Sequence, residues 1–309
     1  MISARGDGHH HRTAAFLDQA LPPVELSIEV FPPKGPEAAA RLWANLELFA
    51  AAAPRFISVT CGAGGSGEDG TYPLARGIHE RFGVPVAAHL TCAYSSRAEI
   101  DDLVRRYWDQ GIRKIVALRG DPPKGAERYV PRADGYAFAS DLVAGLKRVA
   151  DFEISVGCYP EVHPEAPSAE ADLDNLKRKV DAGATRLITQ YCFDTDRLLR
   201  FRDQVVAAGI EAEYVPGIMP IHNFSQIKRF SLACGAGIPA WLERLFDGVE
   251  EGSPTHGMIA ASVATEQCRR LAAEGLTAMH VYALNRAELP LAIRHLLGAR
   301  AVVAAAAAA

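Results

Sequence analysis

Long apolar runs are missing from this chain. Outside its alanine-rich end, no stretch approaches the roughly 18 residues that a membrane helix needs, so no membrane span is expected. Excess positive charge is missing too: 33 basic residues face 37 acidic ones, for a net charge of -4. Both signs are spread along the sequence, leaving no basic face for nucleic acid and no polybasic run for anionic lipid. Small molecules are the expected partners. The N-terminus, MISARGDGHHHR, has no apolar core of the kind a signal peptide carries, which points to the cytoplasm. Cysteine pairs are absent as well. The six cysteines, at 61, 92, 158, 192, 234 and 268, contain no CxxC and no metal-ligand spacing. They read as free thiols, and Cys61, Cys92, Cys158 and Cys192, near the ends of apolar runs, as small buried apolar side chains. No metal is expected. The three histidines at 9–11 lie in a Gly/Arg-rich leader and read as unstructured chain or an appended tag.

What is there is length and alternation. At 309 residues and 49% hydrophobic content the chain can bury one large core, and no Pro-, Gly- or Ser-rich stretch divides it. Apolar segments predict strands at 24–31 (VELSIEVF), 55–61 (RFISVTC), 86–92 (VAAHLTC), 114–121 (KIVALRGD), 153–159 (EISVGCY), 186–192 (RLITQYC), 212–219 (AEYVPGIM) and 278–284 (AMHVYAL). Helical spacing predicts helices at 36–52, 73–82, 97–110, 135–150, 169–182, 196–208, 255–274 and 287–297, with two more inserted after the seventh strand at 223–233 and 239–246. Eight strands separated by helices are the arithmetic of an α/β (β/α)₈ TIM barrel over residues 24–298, a single domain with extra helices after strand seven. A partly unstructured leader, 1–23, precedes it, and an Ala-rich tail, 299–309, follows.

In such a barrel the active site lies on the carboxyl rim, and polar residues collect there. Glu29 closes strand one, Thr60 strand two, His89 strand three, Asp121 strand four, Tyr159 strand five, Gln190 strand six, and Asn285 with Arg286 strand eight. The opposite ends begin with Val24, Arg55, Val86 and Lys114 and show no such set. KIVALRGDPP, at 114–123, concentrates the question: a strand buried on both faces ends on Arg119, Gly120, Asp121 and two prolines. Either a salt bridge caps the strand or the charges serve a ligand. Glu29 sits between apolar neighbours in SIEVF, an environment expected to raise its pKa and suit a general acid. Asp121, beside Arg119, is expected to stay ionised. Two carboxylates so separated also suit a glycoside hydrolase. On helix 169–182, Asp172, Asn175 and Lys179 share a face, with Arg178 beside them; the face is either solvated or a cradle for a ribityl chain and pyrophosphate. The loop GAGGSG at 62–67 fits GxGxxG, but it follows the second strand, and Glu68 and Asp69 oppose phosphate binding, so a rim loop is expected there.

SIEVFPPKG, SVTCGAGG, HLTC, ALRGDPP, YPEVHPEA, DNLKRKVDAGATRLITQYCFD, PGIMPIHNF, IPAWL, FDG and YALNRAE together resemble the bacterial 5,10-methylenetetrahydrofolate reductases, collinearly from about residue 24 to about residue 298. The resemblance implies an oxidoreductase of folate one-carbon metabolism and methionine biosynthesis, in which NADH or NADPH reduces FAD and leaves before the folate binds in the same place. It implies that Glu29 is the acid that protonates folate N10, and that Asp121 holds the pterin and tunes the flavin. It places Gln190, Phe224 and Arg286 with Glu29 and Asp121 at the folate. It assigns FAD contacts to Thr60, His89, Leu118, Arg119, Gly120, Asp121, Tyr159, His163, Asp172, Asn175, Arg178 and Lys179. A homo-oligomer is expected, and S-adenosylmethionine control is not. A flavin-independent relative with direct hydride transfer is the nearest alternative, and intact Asp172, Asn175, Arg178 and Lys179 speak against it. The chain departs from the family at Cys61, at QYCF and at the histidine of HNF, positions that bear on nicotinamide stacking and preference.

Overall fold

Strands that are apolar on both faces belong in a parallel sheet covered by helices. The computed structural model of the chain describes residues 22–61, 70–122 and 129–298. The readings made on the leader to residue 21, on GAGGSG with Glu68 and Asp69, on Pro123 and on the tail 299–309 lie outside the described residues. In order, the elements are β1 (Glu25–Val30), α1 (Pro36–Ala51), β2 (Ile57–Val59), α2 (Thr71–Phe82), β3 (Val86–Thr91), α3 (Arg97–Asp109), β4 (Lys114–Leu118), α4 (Ala139–Val149), β5 (Glu153–Cys158) and α5 (Ala169–Asp181). They continue with β6 (Arg186–Thr189), α6 (Thr195–Ala207), β7 (Glu213–Val215), β8 (Gly217–Ile218), α7 (Phe224–Cys234), α8 (Ala240–Phe246), α9 (Pro254–Ala273), β9 (Ala278–Tyr282) and α10 (Glu288–Leu296).

The strands pair in the order β7-β6-β5-β4-β3-β2-β1-β9-β8, every pair parallel. The two ends of that order are halves of one segment. Pro216, with no N–H to give to a ladder, separates β7, which pairs with β6, from β8, which pairs with β9. The sheet therefore closes, and the expected (β/α)₈ barrel is present with its seventh strand in two pieces. Several elements are shorter than periodicity suggests. The helix after β4 starts at Ala139 rather than 135 because the Asp141 carboxylate accepts from the Phe138 N–H (3.0 Å) and closes the helix end there.

Outward-facing residues such as Ile28, Ile57, Ala88, Ile115 and Ile154 form one core with Leu42, Leu46, Phe49, Ile78, Ile100 and Leu142 of the helices. Inside the barrel, three layers stack. At the amino-end base, Arg186 bridges Glu153 and Glu213, Lys114 pairs with Glu153, and Arg55 pairs with Glu213 and reaches Glu25 at 3.7 Å. The middle layer is apolar: Phe56, Ala87, Val116, Ile188 and Val215. The upper layer carries Ser27, Ser58, His89 and His280, all buried. The amino ends thus do hold a charged set, contrary to the reading that they carry none; that set is closed on itself by ion pairs. Among the described residues no helix is long and apolar enough to cross a membrane, and no group of three or more His, Cys, Asp or Glu side chains could hold a metal ion.

Candidate active site

Parallel register carries Glu29 to the top of the barrel interior. It lies opposite Ser58 of β2 and Tyr282 of β9, while Ser27, two residues earlier on the same face, lies opposite His280. One Glu29 carboxylate oxygen, Oε2, is 3.4 Å from His89 Nε2 and 3.6 Å from His280 Nε2. The Ser27 hydroxyl lies 2.7 Å from His280 Nδ1 and 3.2 Å from the Met279 carbonyl. Only one of these partners can take its single proton. The Met279 carbonyl can only accept, so the hydroxyl donates there and its oxygen meets His280 Nδ1.

These histidines correct the expectation for Glu29. Burial does push its carboxyl up, and it is the largest single influence. The hydrogen bond from His280 and the fields of His89 and His280 together outweigh it, so the carboxyl lies below its ordinary range in the ligand-free protein. Neighbours in sequence suggested an apolar site, but the side chains of Ser27, Ile28 and Val30 do not all share Glu29's face. Burial drives His89 down to about 4, with Glu29 opposing the shift and His280 adding to it, so this imidazole is neutral at neutral pH.

A second group surrounds the ends of β4 and β5. Arg119 makes a bidentate pair with Glu165 (2.6 and 3.1 Å), and its guanidinium lies 4.8 Å from the Tyr129 ring centroid. Its partner is therefore Glu165, not the neighbouring Asp121 that the sequence suggested, because the loop after β5 brings Glu165 within reach. Gly120 turns the chain at φ 89, packed so closely that an added Cβ would lie 2.9 Å from side chains of Thr91 and Ala93. Asp121, on the exposed side of that turn, takes the Tyr94 hydroxyl on its backbone carbonyl at 2.6 Å.

After β5, Tyr159 and His163 meet edge to face at 4.5 Å, and the His163 amide donates to Asp172 Oδ2 at 2.9 Å. Lys179 Nζ donates to the Gly157 carbonyl at 3.0 Å. Asp172 and Lys179 thus point to the barrel end, Asn175 between them is half-buried, and only Arg178 of the four is exposed. Burial raises Tyr159 to about 12 and lowers Lys179, whose downward push Asp172 partly offsets. Burial and Arg119 lower His163. Leu118 ends β4 half-buried, and a Cβ added to Gly157 would meet only Leu118 Cδ2, at 3.6 Å, so bare backbone lies open beside that leucine.

The remaining rim residues are held separately. Thr60 takes the Thr71 hydroxyl on its carbonyl at 2.8 Å. The Gln190 amide oxygen accepts from the Tyr191 N–H at 3.0 Å. Phe224 opens α7 behind the cap Asn223, whose side chain accepts from Gln226 N at 2.7 Å, and stacks on Phe246 with centroids 4.8 Å apart. Arg286 is exposed, 3.7 Å from Glu288. Asn285 leaves the rim set: its amide clamps both backbone groups of Phe31, at 2.8 and 2.9 Å. Sequence reasoning passed over Ser27, His280 and Glu165. The available signal for His280 was a histidine in the middle of the apolar run AMHVYAL.

A family model described as methylenetetrahydrofolate reductase matches residues 18–298. The 5,10-methylenetetrahydrofolate reductase of Escherichia coli (strain K12) is 47% identical over 288 residues, covering 92% of this chain and 95% of that protein. The enzyme of that name from Salmonella typhimurium is 46% identical over 295 residues, 94% and 98% of the two chains. Among solved structures, an uncharacterized protein from Clostridium thermocellum that binds two copies of 5-methyl-5,6,7,8-tetrahydrofolic acid aligns over 89% of this chain and 94% of its own. The TM-score is 0.60 at 13% identity, a likeness of fold alone.

Proposed function

Because the chain belongs to the methylenetetrahydrofolate reductase family, we propose that it reduces 5,10-methylenetetrahydrofolate to 5-methyltetrahydrofolate with NADH or NADPH, through FAD held on the carboxyl rim. The observation that carries the catalytic part is the Glu29 carboxylate between His89 and His280 at the open end of the barrel. A cytoplasmic homo-oligomer is part of the same reading.

The residues present fit a flavin dinucleotide. Leu118, Tyr159 and the open backbone at Gly157 offer a flat, largely apolar ledge for a ring system. Asp172 can accept from hydroxyls, and Lys179, Arg178 and Arg119 supply cations for a pyrophosphate. Thr60, His89, His163, Asn175 and Gly120 complete the proposed contacts. When bound, FAD supplies the means of taking hydride from the nicotinamide and giving it to the folate. The protein's part is to hold both substrates in turn at one place, with Gln190, Phe224 and Arg286 on the folate side and Asp121 at the pterin.

Glu29 supplies the proton that folate N10 needs when the methylene bridge opens. In the ligand-free protein the two histidines keep this carboxyl low. A folate covering the rim strengthens desolvation, the one influence that raises it, and so moves Glu29 toward the protonated form an acid requires. His280, anchored by Ser27, holds the carboxylate from the β9 side.

Glu29→Gln tests this. The variant is expected to show flavin absorbance and normal anaerobic bleaching by NADH, while reoxidation by 5,10-methylenetetrahydrofolate slows about 10²- to 10⁴-fold, the usual worth of a positioned acid. Equal loss of both half-reactions would remove Glu29 from the acid role. A wild-type protein that neither carries nor takes up FAD would overturn the flavin reading.

A further inference from the structure

The turn after β5 and the connection between α7 and α8 are locked together by two close backbone approaches. Glu161 Oε2 accepts from the Gly237 N–H at 2.8 Å, and a Cβ added to Gly237 would lie 2.7 Å from Glu161 Oε1. Two residues earlier, Gly235 at φ +74 leaves only 2.9 Å between an added Cβ and Pro164 Cγ. The other side of this contact is strained. Val162 adopts φ 66, an uncommon conformation for a β-branched residue, and its amide closes the turn on the Tyr159 carbonyl at 3.1 Å. That conformation lets the residues on either side of Val162 serve different partners: Glu161 reaches toward α7 and α8, while the amide of His163 is fixed by Asp172.

We propose that Glu161 is a positioning residue that fixes the α7–α8 pair against the turn carrying Tyr159 and His163. Resting on the reductase reading, this makes Glu161 the tie between the folate side of the site and the flavin side. The lever is α7 itself. Its far end is held by the Tyr191 hydroxyl, near Ser231 Oγ (3.1 Å) and Cys234 Sγ (3.3 Å), and by the Gly237 latch just beyond. Its near end is Phe224, about 15 Å away for a helix of this length. Loss of the latch leaves the Tyr191 contacts to hold the far end of α7, and a small tilt about them displaces Phe224.

The test uses Glu161→Ala, Glu161→Gln and Gly237→Ala in the full chain, with two measurements. Hydrogen–deuterium exchange on the ligand-free protein is expected to quicken about tenfold or more over residues 235–239 in Glu161→Ala, as for loss of a charge-assisted hydrogen bond. Gly237→Ala, which pushes the carboxylate away, is expected to match it, whereas Glu161→Gln, which keeps an oxygen acceptor, stays close to wild type. In turnover, Glu161→Ala is expected to slow flavin reoxidation by the folate on the order of 10- to 100-fold while flavin reduction by NADH is unchanged. Unaltered exchange at 235–239, or equal slowing of both half-reactions, overturns the proposal. A wild-type protein that never passes hydride to a folate overturns the reductase reading instead, and the exchange result tells the two failures apart.

Discussion

His89 gives the strongest test of the electrostatics at the top of the barrel, because its burial is nearly complete and its shift is large. In the unfolded chain its imidazole takes a proton near the ordinary value of 6.5; in the folded protein it does so only at about 4. Between those limits the unfolded state binds more protons, so stability rises with pH. The contribution is complete above about pH 6.5 and is lost as pH falls toward 4. At about 1.36 kcal/mol per pH unit, that window is worth about 3 kcal/mol. His89→Gln removes the titrating group and keeps a polar side chain. Urea unfolding of wild type and variant, followed by tryptophan fluorescence from about pH 4.5 to about pH 7.5, isolates it. His222, also pushed to about 4, and the base carboxylates Glu153 and Glu213 titrate alike in both chains and cancel. The stability gap between the two chains should therefore narrow by about 2.5 kcal/mol as pH falls from about 7.5 to about 4.5. A gap that stays constant across the range would refute the assignment of His89 as a buried neutral imidazole.

Two further substitutions test the layers beneath it. Arg186→Met should lower stability by about 2–3 kcal/mol in chemical denaturation, less than for a wholly uncompensated charge, because Glu153 keeps Lys114 and Glu213 keeps Arg55; flavin binding should be unaffected, and a gain in stability would show that desolvation of the guanidinium outweighs its pairs. Gly217→Ala places a Cβ 2.3 Å from the Thr189 carbonyl and 2.6 Å from the Tyr282 ring, which the backbone cannot absorb, so about 1–3 kcal/mol or more should be lost together with the Tyr282 to Thr189 hydrogen bond. Thermal unfolding unchanged by that substitution would mean that β8 is free to shift.

The barrel was legible because strand period and helix period alternate without interruption, and counting them needs no knowledge of what touches what. The rim was legible for a related reason: a polar residue at the end of a buried strand stands out against its own run, as Glu29, His89 and Asp121 do. What failed depended on pairing across the chain. His280 meets Ser27 across 253 positions, and no local pattern links them. Arg119 has a carboxylate two residues away in sequence and another 46 away; the distant one wins because the loop after β5 folds back over the end of β4. The apolar neighbours of Glu29 in SIEVF misled for the same reason. In a strand, residues next in sequence face the opposite side, and the environment of Glu29 comes from β2, β3 and β9.

The charged base and the titrating top are closer than their separate roles suggest. Arg186 lies 5.2 Å below the Phe56 ring and the His280 ring lies 5.8 Å from it, which puts guanidinium and imidazole within about 11 Å of each other. At an effective dielectric of about 20, an unbalanced charge at that distance is worth about 1.5 kcal/mol to a second charge. The base does not exert that field because its charges balance: Arg55, Lys114 and Arg186 face Glu25, Glu153 and Glu213. The pairing at the amino end therefore spares the buried polar layer above it a net charge from below as well as closing the barrel, with Phe56 and its apolar neighbours as the spacer between them.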